Sequence, residues 1–296
     1  MVTVVGVARV AGVEHRVAVV TDSTAYLPAD LVASHGLRVV PVQVVVDGQP
    51  SDEGTQITPT EVAAALRAWS VVSTSRPSPE RFAQAYADAA AAGATAVVSV
   101  HLSGDMSGTF DSAALAAREA SIPVVVVDSR TVAMSMGFAV LDGARAAEAG
   151  ADADTVAGVV RSRAASSHAL FYVDTLDYLR RGGRIGAAQA LLGQALAVKP
   201  ILELLDGRVA PLEKVRTTSK ALARLEELVV TRAAGRPCDV AVHHLDAPAR
   251  AEALAGRLVT RLVDSRVLVG EVGAVVGAHV GPGMVAVALS PRPSPA

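Results

Sequence analysis

Short runs dominated by valine return through the first half of this 296-residue chain, at Val17–Val20, Leu37–Val46, Thr95–Val100 and Val124–Val127. They are close to continuously apolar rather than alternating, which is the pattern of strands covered on both faces in a mostly parallel sheet. The segments between them carry helix starts. Thr58-Pro59-Thr60-Glu61 is a capping box with proline at the first helical position, and Ser78-Pro79 repeats the hydroxyl-then-proline start. The alternation predicts a doubly wound α/β domain over residues 15–165.

After alanine-rich helices spanning 131–165 the pattern changes. Leu170–Val173 reads as a strand and Thr175–Arg181 as a short helix stopped at Gly182-Gly183. Ile201–Leu205 and Val209–Val215 flank Asp206-Gly207, whose positive φ suits a tight hairpin turn. A helix over Ser219–Ala233, a strand at Asp239–His243, a helix over Ala247–Val263 and strands near Val267–Val269 and Val285–Leu289 follow. This predicts an α+β domain over residues 166–290. Residues 1–14 read as a disordered N-terminal extension and 291–296 as a flexible tail.

Composition removes several function classes. Lys and Arg number 27 against 29 Asp and Glu, and aromatics are 3% of the chain, so neither the charge nor the stacking surface of a nucleic-acid binder is expected. No apolar stretch reaches the ~20 residues of a membrane span without a charge, Gly or Pro, so no integral membrane association is expected. The single cysteine, Cys238, forms no intramolecular disulfide and no thiol pair for zinc, and suits a reducing cytoplasm as an inert buried thiol. His243 and His244 are adjacent, so on a strand they face opposite sides and do not share a metal. No metal site or cofactor is expected.

Three polar segments stand out, each after an apolar run that reads as a strand: Ser73-Thr74-Ser75-Arg76-Pro77-Ser78, Leu102-Ser103-Gly104-Asp105-Met106-Ser107-Gly108-Thr109 and Ala278-His279-Val280-Gly281-Pro282-Gly283. Strand ends rich in hydroxyls and glycine let backbone N–H groups approach a carboxylate or phosphate, and Ser107-Gly108-Thr109 would open a helix whose dipole favours an anion. Locally, Ser107 or Thr109 could equally be an N-cap, and His279 a core histidine. Another reading is a serine hydrolase with Ser107 as nucleophile, His279 as base and Asp22 or Asp128 as orienter. Gly104 to Gly108 reads G-x-x-S-G, however, and misses the G-x-S-x-G elbow by one position.

Taken in order, the chain resembles the DegV family, whose members include the fatty-acid-binding FakB subunits of bacterial fatty acid kinase. The resemblance runs from about Val17 to Leu289. It is carried by Thr21-Asp22-Ser23-Thr24, the three polar segments, Val127-Asp128-Ser129, Leu179-Arg180-Arg181-Gly182-Gly183-Arg184-Ile185, Lys199-Pro200-Ile201, Asp206-Gly207 and Lys214-Val215-Arg216. It implies a long-chain fatty acid held between an N-terminal α/β and a C-terminal α+β domain. Thr74 and Ser107 match the hydroxyls that hold the acyl carboxylate, with Ser75, Gly108 and Thr109 beside them. Arg216 and His279 match positions that complete the headgroup end. The implied role is a carrier without catalysis of its own, which presents the carboxylate to a separate ATP-dependent fatty acid kinase subunit for acyl phosphate formation. Arg180, Arg181 and Arg184 are the expected partner surface. A fatty-acid-sensing protein without a kinase partner is the alternative within the same resemblance.

Two departures from the family pattern bear on the site. Arg76 stands where the motif commonly has Gln, and Gly104-Asp105-Met106 replaces a more usual Ser-Gly-Leu. Asp105, close to the anion site, is expected to face solvent or to pair with an arginine such as Arg76. Ala187–Ala197 is a candidate wall for the alkyl chain.

Overall fold

The computed structural model describes residues 16–191 and 198–293. From β1 (Val17–Asp22) the chain passes through α1 (Ala29–Ser34) to β2 (Arg38–Val40), then to β3 (Gln43–Val46) and β4 (Gln49–Asp52). It continues through α2 (Pro59–Arg67), β5 (Val72–Ser75), α3 (Pro79–Ala91), β6 (Ala96–His101), α4 (Thr109–Ala117), β7 (Val124–Asp128), α5 (Met134–Glu148) and α6 (Ala153–Ser166). The second half adds β8 (His168–Tyr172), α7 (Asp177–Arg181), β9 (Lys199–Leu205), β10 (Arg208–Val215), α8 (Thr218–Ala233) and β11 (Cys238–His244). It closes with α9 (Pro248–Arg261), β12 (Arg266–Glu271), α10 (Ala274–Val280) and β13 (Val285–Pro291).

The valine-rich runs form the expected parallel sheet, in the order β2-β1-β6-β7. A second, six-stranded mixed sheet runs β10-β9-β8-β13-β11-β12. Its β9–β10 hairpin turns at Asp206 (φ 50°) and Gly207 (φ 81°), both in the left-handed region that the Asp-Gly pair predicts. The layers follow from which faces are apolar. Phe82, Tyr86, Ala113 and Ala116 of α3 and α4 cover one face of the parallel sheet against Val20 and Val97. Met136, Val140, Val156 and Val160 of α5 and α6 cover the other and also meet Ala241 and Ala288 of the mixed sheet. Leu225, Val229, Leu254 and Leu258 of α8 and α9 close the far side. The two sheets thus share one helical layer, and the boundary expected at residue 165 falls at the end of α6.

Two expectations need correction. Leu37–Val46 is not one strand: Pro41 has no N–H for a ladder, and the chain leaves the parallel sheet after Val40 to enter a third, antiparallel sheet of order β4-β3-β5. The run before His279 is not a strand but α10, which packs with α2 and the small sheet through Val42, Val44, Val62, Leu66, Ala274, Val275 and Ala278. Among the described residues, no helix is long and apolar enough to cross a membrane.

Candidate functional site

The two sheets, the small sheet and α10 enclose a cavity of about 330 Å³. Most of its wall is apolar, from Leu102, Val132, Ala169, Leu170, Phe171, Leu179, Val209, Met284, Ala286 and others. Its polar lining is Thr74, Ser75, Arg76, Ser107, Gly108, Ser135, Arg184, His243 and His279.

Thr74 reaches this wall from β5, in register with Val44 of the small antiparallel sheet rather than from a crossover loop of the parallel one. Across from it, α10 carries His279, and Thr74 Oγ1 and His279 Nε2 lie 2.8 Å apart, which bonds the N-terminal half of the chain to the C-terminal half. The other ring nitrogen, Nδ1, is buried without a hydrogen-bond partner among the described residues. Burial, together with the nearby Arg184 charge, pushes the imidazole pKa down to about 4, so the ring is neutral at ordinary pH. Gly182 makes room for it, since a Cβ at that position would come 2.0 Å from Nδ1. The glycines of Gly281-Pro282-Gly283 are also close-approach positions, but toward protein side chains: Gly281 (φ 75°) lies on the Tyr178 ring and Gly283 (φ 88°) on the Asp174 carboxylate.

Ser107 arrives on the loop from β6 to α4. Its hydroxyl lies 2.8 Å from Thr109 Oγ1 and accepts the Thr109 backbone N–H at 3.3 Å, so it tethers the first turn of α4 while facing the cavity. Thr109 itself is fully buried outside the cavity wall. Arg76 lies over Gly108, where a Cβ would meet its guanidinium at 2.3 Å. Arg184 turns inward, donating to the carbonyls of Met106 (2.9 Å) and Gly182 (2.7 Å). Among the described residues, no carboxylate pairs with Arg76 or Arg184, so two guanidinium charges and two hydroxyls converge where only carbonyls and solvent balance them. Such a cluster is suited to an incoming anion with several oxygens.

The remaining predicted positions divide. Arg216 is exposed just beyond β10 and does not line the cavity: β10 ends at the preceding residue and α8 begins at Thr218. Arg180 and Arg181 are exposed, Arg181 stacking over the Trp69 ring at 5.3 Å, whereas Arg184 belongs to the cavity rather than to that surface. Asp105 does pair with an arginine, but it is Arg208 on the hairpin, at 2.6 Å, and the pairing holds its carboxyl below the usual range. The proposed wall 187–197 is described only as far as Leu191; Ala188 and Leu191 are buried against Leu179 and Val209, and 192–197 lie outside the described residues. The hydrolase geometry is not assembled. Asp22 is bonded to His101 and Asp128 to the Arg130 N–H, and among the described residues no carboxylate orients His279.

Three residues at or behind the cavity are not assigned to it from the sequence: Arg184 is expected on the partner surface, His243 reads only as a strand residue without a metal, and Glu53 stands behind α10 rather than in the cavity wall. Arg184 needed the inward turn of the Gly-Gly segment. His243 is buried on β11, and burial also lowers its imidazole to about 4. Glu53 lies under the N-terminus of α10, where it accepts the Val275 N–H at 2.7 Å and the Ser23 hydroxyl at 2.5 Å, and burial raises its carboxyl to about 7.

Residues 16–292 match the family model described as uncharacterised protein, DegV family. A DegV domain-containing protein of Streptomyces coelicolor is 56% identical over 277 residues, 93% of this chain and 99% of that one. Among solved structures, a fatty acid binding DegV family protein from Thermus thermophilus superposes with a TM-score of 0.88 at 36% identity, covering 94% of this chain and 100% of its own. DegV of Bacillus subtilis, a fatty acid binding protein, gives a TM-score of 0.87 at 31% identity with the same coverage. The mixed α/β architecture, with a parallel sheet and a second sheet domain, is the architecture of those structures, and the chain belongs to the DegV family.

Proposed function

We propose that this protein binds a long-chain fatty acid in the cavity, with the carboxylate held at the Thr74, Ser107 and His279 end and the alkyl chain along the apolar wall. The observation that carries the reading is the asymmetry of one cavity. Arg76, Arg184 and the hydroxyls gather at the polar end, without a carboxylate partner among the described residues, and the wall beyond is mostly aliphatic. A carboxylate needs donors, and a methylene chain needs only a dry surface, worth roughly 0.8 kcal/mol per buried CH₂. The fatty acid binding relatives from Thermus and Bacillus support the same ligand class.

Native mass spectrometry of the purified protein, followed by extraction, is the first test. A stoichiometric long-chain acid is expected; a protein that comes empty and refuses added acid would refute the reading. Ser107→Ala and Thr74→Val should each weaken binding by about 1.5–3 kcal/mol, the usual worth of a hydrogen bond to a charged group. Unchanged affinity in both would remove the carboxylate from this end.

The carrier role is part of the same proposal: the bound acid is offered to an ATP-dependent fatty acid kinase subunit, and Arg180 and Arg181 form the contact. Their exposure beside Trp69, itself 76% exposed, supports a surface of this kind. Pull-down of the kinase subunit by the wild type and its loss on Arg180→Glu/Arg181→Glu is the expected result. No capture by the acid-loaded wild type would leave a fatty-acid-sensing role instead.

A further inference from the structure

The carboxylate end accounts for every polar group in the cavity wall except Ser135, which donates to the His168 carbonyl, and His243. His243 is 4% exposed, and neither ring nitrogen has a hydrogen-bond partner among the described residues. The backbone of Gly270 and Glu271 lies close enough to raise its pKa somewhat, but closes no hydrogen bond of proper geometry, and Tyr26 meets the ring edge-on at 6.1 Å. A neutral imidazole offers one donor and one acceptor, and burying both without partners is unfavourable.

The position of His243 along the cavity is fixed by its neighbours. The carbonyl of His244 accepts the Val272 N–H at 2.8 Å, and the Tyr26 hydroxyl accepts the Val276 N–H at 3.1 Å, so His243 lies beside the start of α10. His279 stands near the end of that helix. At the rise of an α-helix, the path along α10 from Ala274 to His279 is roughly 8 Å. The two imidazoles therefore mark different depths of the same cavity, one at the headgroup and one among aliphatic side chains such as Val272, Val276 and Ala286.

Resting on the fatty-acid reading above, we infer that His243 selects an acyl chain carrying a hydroxyl group on the chain, well away from the carboxylate. A hydroxyl both donates and accepts, so it can pair with the ring nitrogen that faces the cavity in either neutral tautomer. An unsubstituted methylene at that depth leaves both nitrogens unpaired and drives out any water that could serve them. Because the ring does not need to be charged, the recognition keeps the surrounding wall apolar and leaves the carboxylate at the arginine end.

The test compares stearic acid with its 9-, 10- and 12-hydroxy derivatives by competition for the purified full-length protein. At least one hydroxy isomer is expected to bind about tenfold tighter than stearic acid, and the preference is expected to depend on hydroxyl position. His243→Phe should abolish the preference and tighten stearic acid binding, since it removes the unpaired donor and acceptor while keeping a ring against Tyr26. His243→Gln, which retains a donor and an acceptor, should keep part of the preference. Stearic acid bound as well as every hydroxy isomer would overturn the inference while leaving fatty-acid binding intact. Failure to bind any of these acids would overturn the underlying reading and the inference with it.

Discussion

His101 and His279 each stand against a hydroxyl side chain, Ser99 Oγ at 2.7 Å and Thr74 Oγ1 at 2.8 Å. The surroundings differ in what is left over. His101 gives its second nitrogen to Asp22 at 3.0 Å, Ser99 also accepts the Tyr86 hydroxyl at 2.9 Å, and all of His101, Ser99 and Asp22 are fully buried. Asp22 in turn accepts from the Leu102 N–H and from both donors of Thr24. Every member is committed internally, and none lines the cavity. Among the described residues, His279 keeps one nitrogen without a partner and faces a cavity with two guanidinium groups that no carboxylate balances. The same residue types make a structural joint in one place and a receptive site in the other, and what separates them is unmet hydrogen-bonding capacity rather than composition.

Breaking the first cluster should therefore cost stability, and breaking the second should cost affinity. Asp22→Ala leaves His101 Nδ1, the Leu102 and Thr24 N–H groups and the Thr24 hydroxyl unpaired in the interior. At about 1–3 kcal/mol per unsatisfied group, partly relieved by relaxation, a loss of about 4 kcal/mol or more in urea unfolding is expected. A loss below about 1 kcal/mol would show that the cluster is not a structural joint.

Between these clusters lies Glu53, a third buried polar group whose partners are divided between the two halves of the chain. Its carboxyl is raised from the usual value to about 7, so the folded state holds a proton that the unfolded state releases near 4.5. The stabilisation from that proton is complete below about pH 4.5 and is lost as the pH rises through about 7. His243 and His279, lowered to about 4, act oppositely, losing their contribution as the pH falls from 6.5. The wild-type profile mixes both signs, but the difference between wild type and Glu53→Gln isolates the carboxyl. That difference should shift in favour of the Gln variant by about 3 kcal/mol between pH 4.5 and 8. A difference independent of pH would mean that Glu53 is ionised in the fold as readily as in water.

Gly182→Ala tests the receptive side. Gly182 has φ −75° and ψ −6°, a conformation alanine adopts freely, so the backbone is not strained. The added methyl instead drives into His279 Nδ1 and displaces the ring from Thr74. Fatty-acid affinity should fall by about 1–3 kcal/mol, the range for forcing a methyl into a packed site. An unchanged affinity would mean that the position of His279 is not what the ligand reads.

How much of this was legible in the sequence depended on whether the signal was local. The capping box at Thr58, the Asp206-Gly207 turn and three of the four apolar strands of the parallel sheet are local signals that appear where the sequence put them, whereas Leu37–Val46 is divided at Pro41 between two sheets. Gln49-Pro50-Ser51-Asp52 has no apolar alternation, and it becomes a strand only because β3 pairs with it, so the small sheet that positions Thr74 left no trace. Ala274–Val280 is short and rich in valine and glycine, a run whose period does not separate strand from helix. It is a helix because Glu53 and Tyr26 receive its first free N–H groups, and those residues lie over two hundred positions earlier in the chain. Thr74, Ser107 and His279, singled out from the sequence for a carboxylate, all line the cavity, but the geometry that joins Thr74 to His279 is set by elements the sequence did not reveal.

Asp105 gives the smallest effect and the finest form of the comparison. It stands two residues from Ser107, and an unpartnered carboxylate there would repel a ligand carboxylate. Its side chain instead pairs with Arg208, with Arg130 nearby lowering its pKa further, so its charge is balanced away from the cavity wall. It belongs with Asp22 among the committed groups despite its place in the chain. Because Arg208 is 71% exposed, the pair is screened by water and salt. Asp105→Asn should change fatty-acid affinity by less than about twofold at physiological ionic strength, in either direction. A marked gain in affinity would show instead that the Asp105 charge still reaches the carboxylate end, and that sequence proximity to Ser107 outweighs the pairing with Arg208.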